Sequence, residues 1–145
     1  MNAGIFLHST EQDNSIFDDA LLFITEYNEK GAMGFIVNKR FSRNINELAE
    51  FSTSIPFPIY EGGPVDQEHL FFLHQRPDLI SDGEYVKGNI YLGGDFKTAM
   101  VLINTGIITE KDIRIFIGYC GWDDDQLEDE IQAGSWVVTT GEIFG

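Results

Sequence analysis

The stretch ALLFITEYNEKGAMGFIV, residues 20–37, holds two short apolar runs, Ala20–Tyr27 and Met33–Val37, on either side of Asn28-Glu29-Lys30-Gly31. Both runs are brief, rich in Phe, Ile and Val, and bounded by turn residues, which is the pattern of strands rather than helices. Gly31 is free to take a positive φ, so the segment between the runs reads as a hairpin turn that sets two strands side by side. The same pattern recurs outward from this pair in Gly4–His8, Phe57–Tyr60, Leu70–His74, Gly88–Leu92, Ile113–Tyr119 and Trp136–Thr140.

Three segments carry helical spacing instead. Asn44 followed by Glu47 has the reciprocal cap pattern and opens a short helix to about Phe51. Asp95 caps a second, with Phe96, Ala99, Met100 and Ile103 on one face and Gly106 as its stop. The third runs from Asp124 to Ala133, with Leu127 and Ile131 facing in and Gly134 ending it. The order β-β-β-α-β-β-β-α-β-α-β lacks the regular alternation of a doubly wound sheet and reads as a mixed α+β architecture. With 145 residues, 43% of them hydrophobic and 13% aromatic, and no repeat or linker, residues 1–145 read as a single domain with a substantial core.

Charge narrows the function classes. Twenty-four acidic residues against nine basic give a net charge of −15, which repels nucleic acid at long range. Lys39, Arg40 and Arg43 form the one basic run, a small footprint beside the roughly six to ten phosphate contacts of a strong binder. Direct nucleic-acid binding and anionic membrane surfaces are therefore disfavoured. No run approaches a membrane span, and Met1–His8 lacks the basic flank and apolar length of an export signal. A lone cysteine and three scattered histidines spell neither a disulfide nor a structural zinc site. The expectation is a cytoplasmic protein without cofactor or metal.

Four motifs bear on chemistry. Gly118-Tyr119-Cys120-Gly121-Trp122 stands between a strand and a helix, where an elbow could present a thiol nucleophile. Trp122 replaces the glycine an elbow wants, and Asp123, Asp124 and Asp125 would raise the thiol pKa, so a small buried cysteine at a strand end is the favoured reading. The acids at 123–125 and 128–130 do not follow a calcium-loop spacing and suit the first turn of a helix. Gly62-Gly63-Pro64 and Gly93-Gly94-Asp95 are glycine-rich turns with no Walker or dinucleotide fingerprint. His74 closes an apolar run as a strand-end histidine, and Trp122 and Trp136 bracket the last helix as core anchors, one of them open to lining a pocket.

These stretches occur in a specific order. Glu26-Tyr27-Asn28-Glu29-Lys30-Gly31-Ala32-Met33-Gly34-Phe35-Ile36-Val37-Asn38 is followed by Gly62-Gly63-Pro64-Val65, Phe71-Phe72-Leu73-His74 and Gly94-Asp95. Gly118 to Trp122, Gln126-Leu127-Glu128-Asp129-Glu130 and Trp136 complete the set, which resembles the bacterial YqgE/AlgH family nearly end to end. The resemblance implies a single α+β domain whose mixed, largely antiparallel sheet curls into an irregular barrel-like core flanked by helices. It implies little about activity, because the family is largely uncharacterised and its label of transcriptional regulator comes without a recognisable DNA-binding motif. The chain departs from the family pattern at Asn14-Ser15 and Asp19, where the family has Asp-Pro and an Arg, and at Tyr27, where it has His. Members also tend to continue some tens of residues past the position of Trp136, so a C-terminal element is expected to be shortened or missing here.

The resulting expectation is a non-enzymatic domain that binds a small molecule or a protein partner, with an indirect regulatory role. Its candidate ligand-binding residues are Asn38, Gly62, Gly63, Pro64, His74, Asp95, Gly121 and Trp122, polar and glycine positions that the motifs carry without a periodic core role. The alternatives are a Cys/His-dependent hydrolase using Cys120 and a direct DNA-binding regulator.

Overall fold

A computed structural model describes residues 2–144. The hairpin at residues 20–37 is present as β2 (Leu21–Asn28) and β3 (Gly31–Ile36), antiparallel, with Asn28 opposite Gly31 and Gly31 at φ +142°. Around it stand β1 (Phe6–Ser9), β4 (Arg40–Asn44), β5 (Pro58–Glu61) and β6 (Val65–His74). The chain continues through β7 (Glu84–Lys87), β8 (Ile90–Leu92), α1 (Phe96–Asn104), β9 (Ile113–Asp123), α2 (Gln126–Gln132) and β10 (Trp136–Thr139). Neighbouring strands follow the order β10-β1-β2-β3-β9-β6-β8-β7, with β5 beside β9 and β4 beside β5. Every pairing is antiparallel except that of β5 with β9.

Strand β9 organises the whole. Along Ile113–Tyr119 it pairs with β6, and on its other edge Ile115–Ile117 pair with β5 before Cys120–Asp123 pair with β3. The switch from β5 to β3 falls at Gly118, whose φ of +73° bends the strand and whose absent side chain lets Gly63 O pass within reach. The segment read from sequence as ending at Tyr119 therefore runs four residues further. Gly118 and Gly121 look like a turn in the sequence but lie inside a paired strand, because the β3 ladder continues past them.

Two expected features are corrected. The sheet is not closed into a barrel: no ladder joins β10 to β7 among the described residues. Its curl is filled by side chains instead, with Phe23, Phe35, Val37, Leu73, Phe116 and Ile143 buried together and flanked by Phe6 from β1 and Val86 and Leu92 from β7 and β8. The helix expected from Asn44 to Phe51 is a pair of 3-10 turns, Ile45–Glu47 and Ala49–Phe51. The capping box between Asn44 and Glu47 is formed, but the extended backbone at Leu48, ψ +136°, breaks the run before an α-helical turn can propagate.

Two further apolar clusters hold the helices. Helix α1 sets Ala99 and Ile103 against Ile45, Ile59, Phe72, Ile113 and Ile115. Helix α2 sets Leu127 against Leu22, Ile36, Cys120, Trp122 and Trp136. No helix of the described residues is long and apolar enough to cross a membrane.

Candidate functional site

Helix α2 is tied to the sheet at several points, and this fixes the wall it presents. Asp125 opens it from a left-handed backbone, φ +63°, and the Asp123 N–H donates to Gln126 Oε1 at 3.0 Å. Tyr27 on β2 donates its hydroxyl to Glu128, which with burial and the surrounding acids pushes the phenol up to about 12. Glu130 then accepts two indole N–H bonds on one oxygen, Oε1, from Trp122 and from Trp136, each at 3.1 Å. One carboxylate thus clamps the end of β9 to the start of β10.

Beside this clamp lies a cleft of about 400 Å³. Phe17, Pro64, Val65, Trp122 and Trp136 give it apolar walls, Cys120 and Gly121 lie on β9 beneath, and Ser9, Glu11, Gln126 and Glu130 supply polar groups. The two indoles meet edge to face, with centroids 6.3 Å apart and planes at 82°; Phe17 meets Trp136 the same way at 5.9 Å and 88°. Both tryptophans are buried, at 9% and 5% exposure. A concave, mostly apolar space with a few fixed polar groups, within the size range of small-molecule sites, can hold a ligand without rearrangement.

Of the eight positions singled out from the sequence, Pro64, Gly121 and Trp122 line this cleft. Gly62 and Gly63 lie directly behind it, and their lack of side chains serves packing: a Cβ on Gly63 would sit 2.2 Å from Tyr119 C, and one on Gly62 2.4 Å from Gly118 O. The other three stand apart with their polar atoms occupied. Asn38 accepts from Leu21 N–H at 2.8 Å and donates to Asp19 O at 3.0 Å, pinning the start of β2. Asp95 caps α1 through Thr98 N–H and the Thr98 hydroxyl. His74 is fully buried; Nδ1 accepts the Arg76 N–H at 3.0 Å and Nε2 lies 3.1 Å from Gly93 O.

That pair of bonds requires the neutral Nε2–H tautomer of His74, since a proton on Nδ1 would face the Arg76 N–H. Burial lowers its pKa, and the Gly93 carbonyl and Asp78 offset this only in part. An unfolded chain takes up that proton below about pH 6.5 while the folded one refuses it, so stability falls as pH drops through that value and keeps falling until the folded pKa is passed. Between pH 7 and pH 5.5 the urea midpoint should decline more steeply for the wild type than for His74→Gln. Equal slopes would show that His74 is protonated without cost.

Cys120 is 2% exposed, and its thiol donates to Gly62 O at 3.5 Å. Burial, reinforced by the charge of Glu130, pushes the thiol up to about 12. The histidines are engaged elsewhere, His8 with Asp19 at 2.7 Å and His69 with Asp66 at 2.6 Å. Among the described residues the Cys120 thiol has no histidine hydrogen-bonded to it. Folded protein at pH 7.5 should resist iodoacetamide over a time that fully alkylates the urea-unfolded chain, as read by intact mass; rapid alkylation of the folded form would restore the thiol chemistry.

The basic run falls on the β4 edge, away from the cleft lining. Arg40 lies 5.5 Å from the Tyr60 ring centroid and Arg114 4.2 Å from it, with Arg114 also donating to Val37 O. Among the described residues no group of three or more His, Cys, Asp or Glu side chains is arranged to hold a metal ion.

Comparison with known proteins decides the relationship. A family model described as AlgH-like matches residues 5–143. The chain belongs to the AlgH-like family. Its relatives include a UPF0301 protein of Chlorobaculum parvum, 39% identical over 137 residues, covering 94% of this chain and 73% of the relative. Another, from Cytophaga hutchinsonii, is 36% identical over 126 residues, covering 86% and 69%. The solution structure of the AlgH protein from Pseudomonas aeruginosa superposes with a TM-score of 0.77 at 26% identity, over 97% of this chain and 79% of that one. A crystal structure from Corynebacterium diphtheriae shares the fold at 19% identity and TM-score 0.75, over 99% and 78%.

Sequence reading missed Phe17 and Glu130 as site residues and weighed Trp136 chiefly as core. Phe17 sits in the segment where the chain departs from the family pattern, which was the one local signal pointing to it. Nothing in the spacing of Glu130 reveals that it joins two indoles.

Proposed function

We propose that this AlgH-like protein is a non-enzymatic binding domain whose ligand, a small molecule, occupies the cleft between β9, α2 and the segment around Phe17. The observation that carries this reading is the cleft itself: aromatic walls, two of them hydrogen-bonded to Glu130, about 400 Å³ of space, and a buried Cys120 whose thiol pKa is pushed up. Any regulatory role is then indirect, exerted through the liganded state rather than by contact with DNA, in keeping with the net charge of −15.

Phe17 offers a clean test. It lines the cleft, is only half-buried, and the backbone bonds of its segment do not involve the ring. Phe17→Ala should therefore remove one aromatic wall while leaving the fold intact. In a ligand-observed NMR fragment screen the wild type should yield hits that lose binding in Phe17→Ala. No hits, or hits that bind the variant equally well, would refute the assignment.

A further inference from the structure

We propose that the cleft selects an organic cation, a substituted ammonium group carried on a compact apolar body. The inference rests on the reading of the cleft as a small-molecule site and goes further by naming the class of ligand. Three features of the lining point the same way.

The first is the arrangement of its rings. Phe17 and Trp122 each stand nearly perpendicular to Trp136, at 88° and 82°. Edge-to-face packing covers part of each ring, and the ring surface that Phe17, Trp122 and Trp136 leave to the cleft is apolar and carries the negative quadrupole that attracts a cation, more strongly as water is excluded. Quaternary and methylated ammonium groups suit such walls because their charge is spread over apolar methyl groups, which lose little hydration on entry.

The second is charge. Glu11 and Glu130 line the cleft, and no Lys, Arg or His does. Glu11 is exposed and has no ion pair among the described residues. The charge of Glu130 is felt on the floor, where it opposes ionisation of Cys120. The acids around α2 add to the same field, Asp124, Glu128 and Asp129 together raising the pKa of Asp125.

The third is the engagement of the indole donors. Both N–H groups are given to Glu130, which leaves Ser9, Gln126 and Ser135 as neutral polar side chains of the lining and no cationic one to balance an anion. A carboxylate or phosphate entering the cleft would meet two carboxylates and no free indole donor, an arrangement that discriminates by repulsion as well as attraction.

Three probes of nearly equal shape separate these terms: choline, its neutral isostere 3,3-dimethylbutan-1-ol, and the anion 3,3-dimethylbutanoate. Each is titrated into nitrogen-15-labelled full chain while the indole N–H resonances of Trp122 and Trp136 are followed. Choline should shift both saturably and bind about tenfold more tightly than the alcohol, the carboxylate should leave them unmoved, and Glu11→Gln should weaken choline while leaving the alcohol unchanged. Equal affinity for choline and the alcohol would overturn the cation assignment and leave the small-molecule site standing. Preference for the carboxylate would overturn it too, as would silence of both resonances toward choline; the fragment screen with Phe17→Ala decides independently whether the cleft is a site at all.

Discussion

Phe116→Ala is expected to destabilise the protein by about 3–5 kcal/mol, the range for truncating a large buried aromatic. Phe116 is fully buried and stacks on Phe35 with centroids 4.8 Å apart and planes at 25°. It lies on β9 where that strand is paired on both edges, opposite Tyr60 of β5 and Phe71 of β6. Strands on either side fix the backbone, so the surroundings cannot collapse into the space the ring leaves, and the cost belongs at the upper end of that range. Since a domain of this kind has only about 5–15 kcal/mol in total, such a loss consumes a large share of it. Urea unfolding at neutral pH measures it directly; a loss below about 1 kcal/mol would show that the curl of the sheet is not held by this ring.

Gly63→Ala should have the second largest effect, through main chain rather than side chains. The added Cβ would lie 2.2 Å from both C and O of Tyr119 and 2.6 Å from Cys120 N. No rotamer change relieves a collision with backbone, so β9 and the β5–β6 connection must separate, and overpacking of this kind costs about 1–3 kcal/mol and sometimes more. The cleft should suffer as well, because Pro64 and Val65 follow directly and form part of its wall. Gly121→Ala is the internal control, since its Cβ meets nothing closer than 3.4 Å. Thermal unfolding should separate the two variants by several degrees. If they melt alike, the close approach at Gly63 is not a constraint on the fold.

Much of the fold was legible because apolar runs and turn residues agreed locally. The hairpin at Gly31, the cap at Asp95 and the ends at Gly106 and Gly134 stand where the sequence places them. What escaped notice was polar. Strand β4, Arg40–Asn44, is an edge strand with two arginines and no apolar run, and β7, Glu84–Lys87, is similarly mixed. The Gly88-Asn89 pair that turns β7 into β8 is a hairpin signal that the apolar residues directly after it mask in the sequence.

The site was less legible for a different reason. Glycines at 62 and 63 read as ligand-facing because a turn motif and a close-approach motif are identical in one dimension; only the position of β9 behind them tells the two apart. Asn38, His74 and Asp95 stand out in the sequence because they are polar at strand and helix ends, and in the structure their polar atoms bond backbone groups there, away from the cleft lining. The aromatic walls come from residues 17, 122 and 136, more than a hundred positions apart between first and last, and no local pattern joins them. Cys120 shows the converse: a suggestive motif whose chemistry burial removes.

The most direct measurement is a crystal structure of the protein with the tightest hit from the fragment screen. The account predicts the compound between Phe17, Trp122 and Trp136, with Glu130 still bridging the two indoles. A compound bound instead beside Asn38, His74 or Asp95, with the aromatic cleft unoccupied, would contradict it.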